Sequence, residues 1–216
     1  MFTTLAAAAL TLSTALSPLT AVGNGSYFTD PPDDKIVISI VTVNGSGCPT
    51  GTASVAMSPD NTAFTVTYSD YLARSGGNSL PTDFRKNCQI ALVVHVPGGF
   101  SFAIYKTDYR GFAHLEQGAT ASHEASYYFQ GMSETPHVKS TFNGVYDDNW
   151  QTTNEVETPQ LVYSPCGEER IFNINTELRA NAGTLHPEKT SFVAMDSTDG
   201  DLNTTYHVKW KDCTRP

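Results

Sequence analysis

Positive charge is scarce in this sequence: 13 Lys and Arg stand against 22 Asp and Glu, a formal net charge of −9. A surface of that sign repels phosphate backbones and anionic lipid heads, which argues against nucleic acid as a partner. Strongly anionic polysaccharides are disfavoured on the same ground. Long apolar runs are also missing. Leu5–Leu12 continues only weakly to Leu16, too short and interrupted to span a bilayer, and no later segment is apolar enough to do so. Direct membrane insertion is therefore not expected, and the polar stretch Lys211–Pro216 offers no tail for a lipid anchor.

Several chemistries lack their residues. Cys48, Cys88, Cys166 and Cys213 are far apart, and without a C-x-x-C pair the zinc and redox readings are weak. No serine sits in a G-x-S-x-G elbow, so nucleophilic catalysis has no candidate. His95, His114, His123, His137, His186 and His207 show no i,i+2 or i,i+4 pairing. His114 and His123 could meet across a hairpin, while scattered surface positions are the default. Asp196–Asp201 resembles a calcium loop in composition but lacks the EF-hand spacing and final Glu, so a hairpin with an Asp199-Gly200 turn is the simpler account. No histidine opens the mature chain, as a mononuclear copper oxygenase requires. Neither a metal nor a cofactor is expected.

What is present points to export. Residues 1–21 carry no charged side chain, and the apolar run ends in Leu19-Thr20-Ala21, which fits the cleavage site of a signal peptide. Ser17-Pro18 and Gly23-Asn24-Gly25 break the chain at once, against a core helix. Residues 22–34 read as a flexible lead-in, since Asp30-Pro-Pro-Asp-Asp34 suits neither helix nor sheet interior. An even number of cysteines in an oxidising compartment predicts two disulfides, with three connectivities open. Cys48–Cys88 with Cys166–Cys213 is preferred, because each bridge then closes a loop within one half of the chain. Each such loop stabilises by roughly 3–4 kcal/mol on the chain-entropy account. Sequons at Asn24, Asn44 and Asn203 make these the candidate glycosylation sites of a secreted protein, extracellular or associated with the cell wall.

Beyond the leader the patterning has a period of two. Lys35–Val43 reads as a strand buried on both faces. In Thr62–Tyr68, Phe64, Val66 and Tyr68 share one side and threonines the other. Cys88–Val96, the turn Pro97-Gly98-Gly99 and Phe100–Tyr105 form a hairpin candidate. Further strands are expected at 111–116, 122–130, 138–146, 160–163, 170–179, 191–195 and 204–211. No long stripe of period 3.6 follows the leader. About ten short strands punctuated by Asn-Gly, Asp-Gly and Gly-Gly turns predict an all-β fold: one antiparallel β-sandwich over 35–213, jelly-roll-like.

At this point several motifs carry a resemblance: Val43–Pro49, Ser58–Phe64, Arg85–Cys88, Asp108–Phe112, Tyr127–Gly131, Cys166-Gly-Glu168 and Asn173–Arg179. Together they resemble a widespread secreted-protein family catalogued as domain of unknown function 4360, from about Ile36 to Cys213. The resemblance implies a secreted single-domain protein and brings no activity with it. Thr176-Glu-Leu-Arg179 also looks like a strand motif of alginate-type polysaccharide lyases, and Tyr127–Gly131 like another. Their order along the chain is reversed here, and the lyases' Gln-x-His strand has no counterpart, so the match is read as coincidence.

The strand around Asn173 holds the main candidates. Asn173, Asn175, Glu177 and Arg179 fall on one side, opposite Phe172, Ile174, Thr176 and Leu178. A ladder of amides, a carboxylate and a guanidinium suits sugar hydroxyls, which take paired hydrogen bonds from planar groups. A merely solvated outer face is the competing account. Glu177 and Arg179, with Tyr128 or Tyr127, are the candidates for catalysis if the face is a cleft. Tyr146–Gln151 reads as a loop whose Trp plugs the sandwich end. The competing account makes it a ligand loop, in which Trp150 stacks on a sugar ring and Asp147 finds a carboxylate partner in Glu177 or Glu168. Asp108 and Arg110 suggest an internal ion pair. The expected function is non-catalytic binding of cell-wall or surface polysaccharide by a monomer. The alternatives are a polysaccharide lyase or glycoside hydrolase on the same sandwich, and a structural wall component or effector.

Overall fold

The computed structural model describes residues 28–34, 36–132, 137–195 and 203–214. The predicted signal peptide, Asn24 and the Asp196–Asp201 turn lie outside them. The strands are β1 (Phe28–Thr29), β2 (Val37–Asn44), β3 (Ala53–Met57), β4 (Ala63–Tyr68), β5 (Leu72–Ser75), β6 (Arg85–His95) and β7 (Phe100–Leu115). They continue with β8 (Thr120–Phe129), β9 (His137–Asn143), β10 (Tyr146–Glu155), β11 (Ile171–Asn181), β12 (Ser191–Ala194) and β13 (Thr204–Asp212). Among the described residues the helical content is one 3-10 turn, Thr158–Gln160.

Two antiparallel sheets face each other as a β-sandwich. The smaller runs β2-β6-β11-β8-β9. The larger is organised around β7, whose one edge pairs with β10 while β13 and then β12 follow along the other. β4 and β3 extend it beyond β13, and β5 beyond β12. The chain crosses repeatedly between the layers, in a jelly-roll-like manner. Alternation fills the space between them: Phe64, Tyr206, Phe102 and Trp210 come from one sheet, Phe172, Phe129 and Tyr127 from the other, all buried. Phe64 stacks on Tyr206 at 4.8 Å between centroids and meets Phe172 edge-on at 6.2 Å, the offset geometries that aromatic quadrupoles favour. Both preferred disulfides form, Cys48–Cys88 and Cys166–Cys213. The first ties the end of β2 to β6; the second ties the segment before β11 to the end of β13.

Several expectations are corrected. β6 and β7 do not form a hairpin: they belong to different sheets, and Pro97-Gly98-Gly99 carries the chain between layers. Both edges of β6 are taken by β2 and β11, and both edges of β7 by β10, β12 and β13, so neither has a side left for the other. β2 is not buried on both faces. It is an edge strand whose outward Val37 and Val41 stay exposed. Residues 160–163 form no strand. Tyr146–Gln151 is not a loop but the start of β10, which pairs residue by residue with β7 from Tyr146↔Leu115 to Glu155↔Lys106. Part of the lead-in is docked: β1 pairs with β13, and the Asn61 amide donates to the carbonyls of Pro32 and Asp34.

Candidate functional site

The outward face of the five-stranded sheet is polar around Glu177 because there the outward residues of β6, β11, β8 and β9 are polar while their neighbours go into the core. On β6, Asn87 and Gln89 alternate with the buried Cys88 and Ile90; on β8, Glu124 and Ser126 alternate with the buried His123, Ala125 and Tyr127. Register then lines these residues up across strands. Gln89 lies opposite Asn175, Asn175 opposite Ser126, and Ser126 opposite His137. One level along, Asn87, Glu177, Glu124 and Lys139 form the next row. These side chains, with Arg85, line an open groove of about 460 Å³.

The charges of the groove are paired with one another. Arg85 donates to Glu177 through Nε at 2.7 Å, Arg179 donates to the other oxygen of Glu177, and Lys139 Nζ donates to Glu124 at 2.6 Å. Partial burial pushes the Glu177 carboxyl up, but hydrogen bonds from both guanidinium groups outweigh it and hold the group below its ordinary range. Glu177 is thus an ionised, doubly held acceptor, the opposite of the raised carboxyl that a general acid requires.

The sequence candidates separate. Asn175 and Glu177 line the groove, and Arg179 reaches it through Glu177. Asn173 is on the same strand face but buried, opposite Ala91 and Tyr128. Tyr128 shares that level, four residues from Glu177 along β11, or about 13 Å at strand spacing. Tyr127 is in the core. The convergence of Glu177 and Arg179 with a tyrosine, expected for an enzyme, is not formed. Trp150 is not exposed for stacking either. It points between the sheets, 3 % exposed, against Phe142 and His123. It lies over Gly111, where a Cβ would come within 2.3 Å of the indole. Asp147 is on the outside of the other sheet beside His114, with Nδ1 at 3.0 Å. Its expected carboxylate partners are elsewhere: Glu177 is in the groove, and Glu168 is held by Arg170. Asp108 pairs not with Arg110 but with His207, Lys106 and Thr153.

His114 and His123 do not meet, because β7 and β8 lie in opposite sheets. His123 is fully buried between Tyr109 and Trp150, and burial pushes it down to about 3. Arg85, Asn87, Gln89, Glu124, Ser126, His137 and Lys139 are not among the site residues expected from sequence. Alternation marks each as outward; only register brings them to one place. Among the described residues no three His, Cys, Asp or Glu side chains group as a metal site, and no helix is long and apolar enough to cross a membrane.

One curated relative, an uncharacterized secreted protein of Arthroderma benhamiae, is 35% identical over 184 residues, covering 85% of this chain and 74% of that protein. Among solved structures, the enzymatically active domain of bacteriophage CBA120 tailspike protein 4 matches 79% of this chain and 19% of its own, at 12% identity and TM-score 0.23. A family 11 carbohydrate-binding module from Clostridium thermocellum matches 83% of this chain and 94% of its own, at 10% identity and TM-score 0.18. Neither superposition establishes a common fold. The sequence match over residues 34–213 is decisive by contrast: the chain belongs to the secreted-protein family described as domain of unknown function DUF4360.

Proposed function

We propose that the protein acts outside the cell as a monomeric, non-catalytic binder of neutral wall or surface polysaccharide, held in the groove on the five-stranded sheet. The observation that carries this reading is the groove floor itself. Gln89, Asn87, Asn175, Ser126 and Glu177 present amide, hydroxyl and carboxylate groups at the regular spacing of a sheet. Each amide both donates and accepts, which matches the mixed demands of adjacent sugar hydroxyls. The charges are already engaged with one another, Glu177 with Arg85 and Arg179 and Glu124 with Lys139, which favours an uncharged ligand over a uronate polymer. An apolar ligand is a poor match, because no Phe, Tyr or Trp lines the groove. Without a ring to stack on, each sugar contributes little, so tight binding requires a chain long enough to cover several rows.

The test is a pull-down with insoluble wall polysaccharides, repeated with Asn175→Ala and Gln89→Ala. Retention by the wild type and its loss in both variants supports the reading. Equal retention of all three contradicts it.

One observation favours a second reading, glycoside hydrolysis: Glu177 and Glu124 are cross-strand neighbours in the groove. Directly opposed positions have Cβ atoms about 4.5–5.5 Å apart, so both carboxylates stand in one row of the groove, with the ionised Glu177 suited to the nucleophile's role. New reducing ends that disappear in Glu177→Gln would establish this reading in place of the first.

A further inference from the structure

We propose that Asn44 carries an N-linked glycan whose root stands on the rim of the groove and shields it, so that affinity for polysaccharide depends on glycoform. This rests on the reading of the groove as a polysaccharide site. A bulge between Ile40 and Thr42 resets the alternation of β2, so that Val43 packs against the core and Asn44 faces outward and exposed. Asn44 lies opposite Gln89, and Gln89 opposite Asn175. The attachment point is therefore two strands, about 10 Å, from the centre of the groove row.

The attachment point is also firmly placed. The Ser46 hydroxyl donates to Asn87 Oδ1 at 3.1 Å and accepts from the Asn87 backbone N–H at 3.2 Å. Gly45 lies so close to β6 that a Cβ there would meet the Asn87 carbonyl at 2.1 Å. The Cys48–Cys88 bridge pins the same corner. The Asn44 side chain itself has no hydrogen-bond partner among the described residues, so its amide is open to modification without loss of a contact. In that reaction the Asn44 Nδ2–C1 bond forms as the sugar–phosphate bond of a lipid-diphosphate-linked oligosaccharide breaks; the diphosphate leaves and the amide loses one proton. A glycan rooted here has the amide floor of the groove within reach of its own hydroxyls, and it covers the open edge of β2. Asn203 provides the control. It stands beside β13 in the other sheet, half-buried, with Thr205 Oγ1 at 3.5 Å.

The experiment takes the full chain secreted from a eukaryotic host, with peptide mass spectrometry of Asn44 and calorimetry against soluble β-glucan and mannan. The expected result is an occupied Asn44, binding at least about fivefold tighter in Asn44→Gln and in endoglycosidase-trimmed protein, and no change in Asn203→Gln. An unmodified Asn44, or equal affinity with and without its glycan, overturns the inference while leaving the groove reading intact. If Asn44→Gln binds no member of the panel, the groove reading fails and this inference fails with it.

Discussion

Glu177 and Glu124 stand directly opposite each other on adjacent antiparallel strands, and each is turned to its own cation, Glu177 to Arg85 and Arg179, Glu124 to Lys139. Like charges so placed destabilise a sheet unless neutralised. The five side chains are therefore one unit: each carboxylate is answered by a cation of a flanking strand, Arg85 on β6 and Lys139 on β9, and Glu177 also by Arg179 on its own strand.

Removing one partner should expose this. In Arg85→Ala, Glu177 keeps only Arg179, and its carboxyl should titrate closer to the ordinary range. The sign follows from linkage: a carboxyl depressed on folding contributes stability above its unfolded pKa, and loses it as pH falls through the folded value. The variant should therefore be less stable than the wild type above about pH 4.5, and the difference should vanish as pH falls through the folded value of Glu177. Side-chain carboxyl NMR across pH 2–6 checks this, and an unmoved Glu177 titration contradicts it.

His123 gives a separate pH signature. Its folded pKa, about 3, is depressed by burial, so between that value and about 6.5 the unfolded chain binds a proton that the folded chain refuses. Stability then falls as pH falls, by about 1.4 kcal/mol per unit for this single group. Neither ring nitrogen finds a protein partner. His123→Phe should therefore raise stability by about 1–3 kcal/mol at pH 7 and reduce the slope between pH 6.5 and 4.5. Urea unfolding at three pH values measures both; an unchanged slope would place the proton elsewhere.

Trp150 separates folding from binding. Truncating a buried Trp costs about 3–5 kcal/mol, so Trp150→Ala should show a large drop in the denaturation midpoint. Any molecules that remain folded should still bind polysaccharide, because the indole lies between the sheets and away from the groove. Loss of binding by protein that is demonstrably folded would restore the stacking role read from sequence.

The first disulfide should matter for both. Replacing Cys48 and Cys88 by Ala together should cost about 3–4 kcal/mol by releasing the 40-residue loop. It should also weaken binding, since Cys88 directly precedes the groove residue Gln89. Unfolding curves and calorimetry on the same sample test the pairing of the two effects.

Some of this was legible in the sequence. Strands such as β4, β8 and β11 alternate cleanly, because one face of each packs on the core and the other meets water. That alternation by itself puts Asn175, Glu177 and Arg179 on one side of the strand. β10 was misread because Asp147, Asp148 and Asn149 suggest a loop; pairing with β7 along its whole length overrides that local preference. The turn at Pro97-Gly98-Gly99 was seen but not its destination, since a local turn does not specify which sheet receives the next strand. The rest of the groove depends on register. Gln89, Ser126 and Glu124 are far apart in sequence from Asn175, and only pairing across three strands brings them together.

The central claim is tested most directly by mapping where polysaccharide touches the protein. In a titration of isotope-labelled protein with soluble β-glucan and mannan oligomers, backbone and side-chain amide shifts should concentrate on Asn87, Gln89, Ser126 and Asn175. Shifts confined to the outer face of the eight-stranded sheet, around His114 and Asp147, or no shifts with any oligomer, would contradict the assignment of the groove.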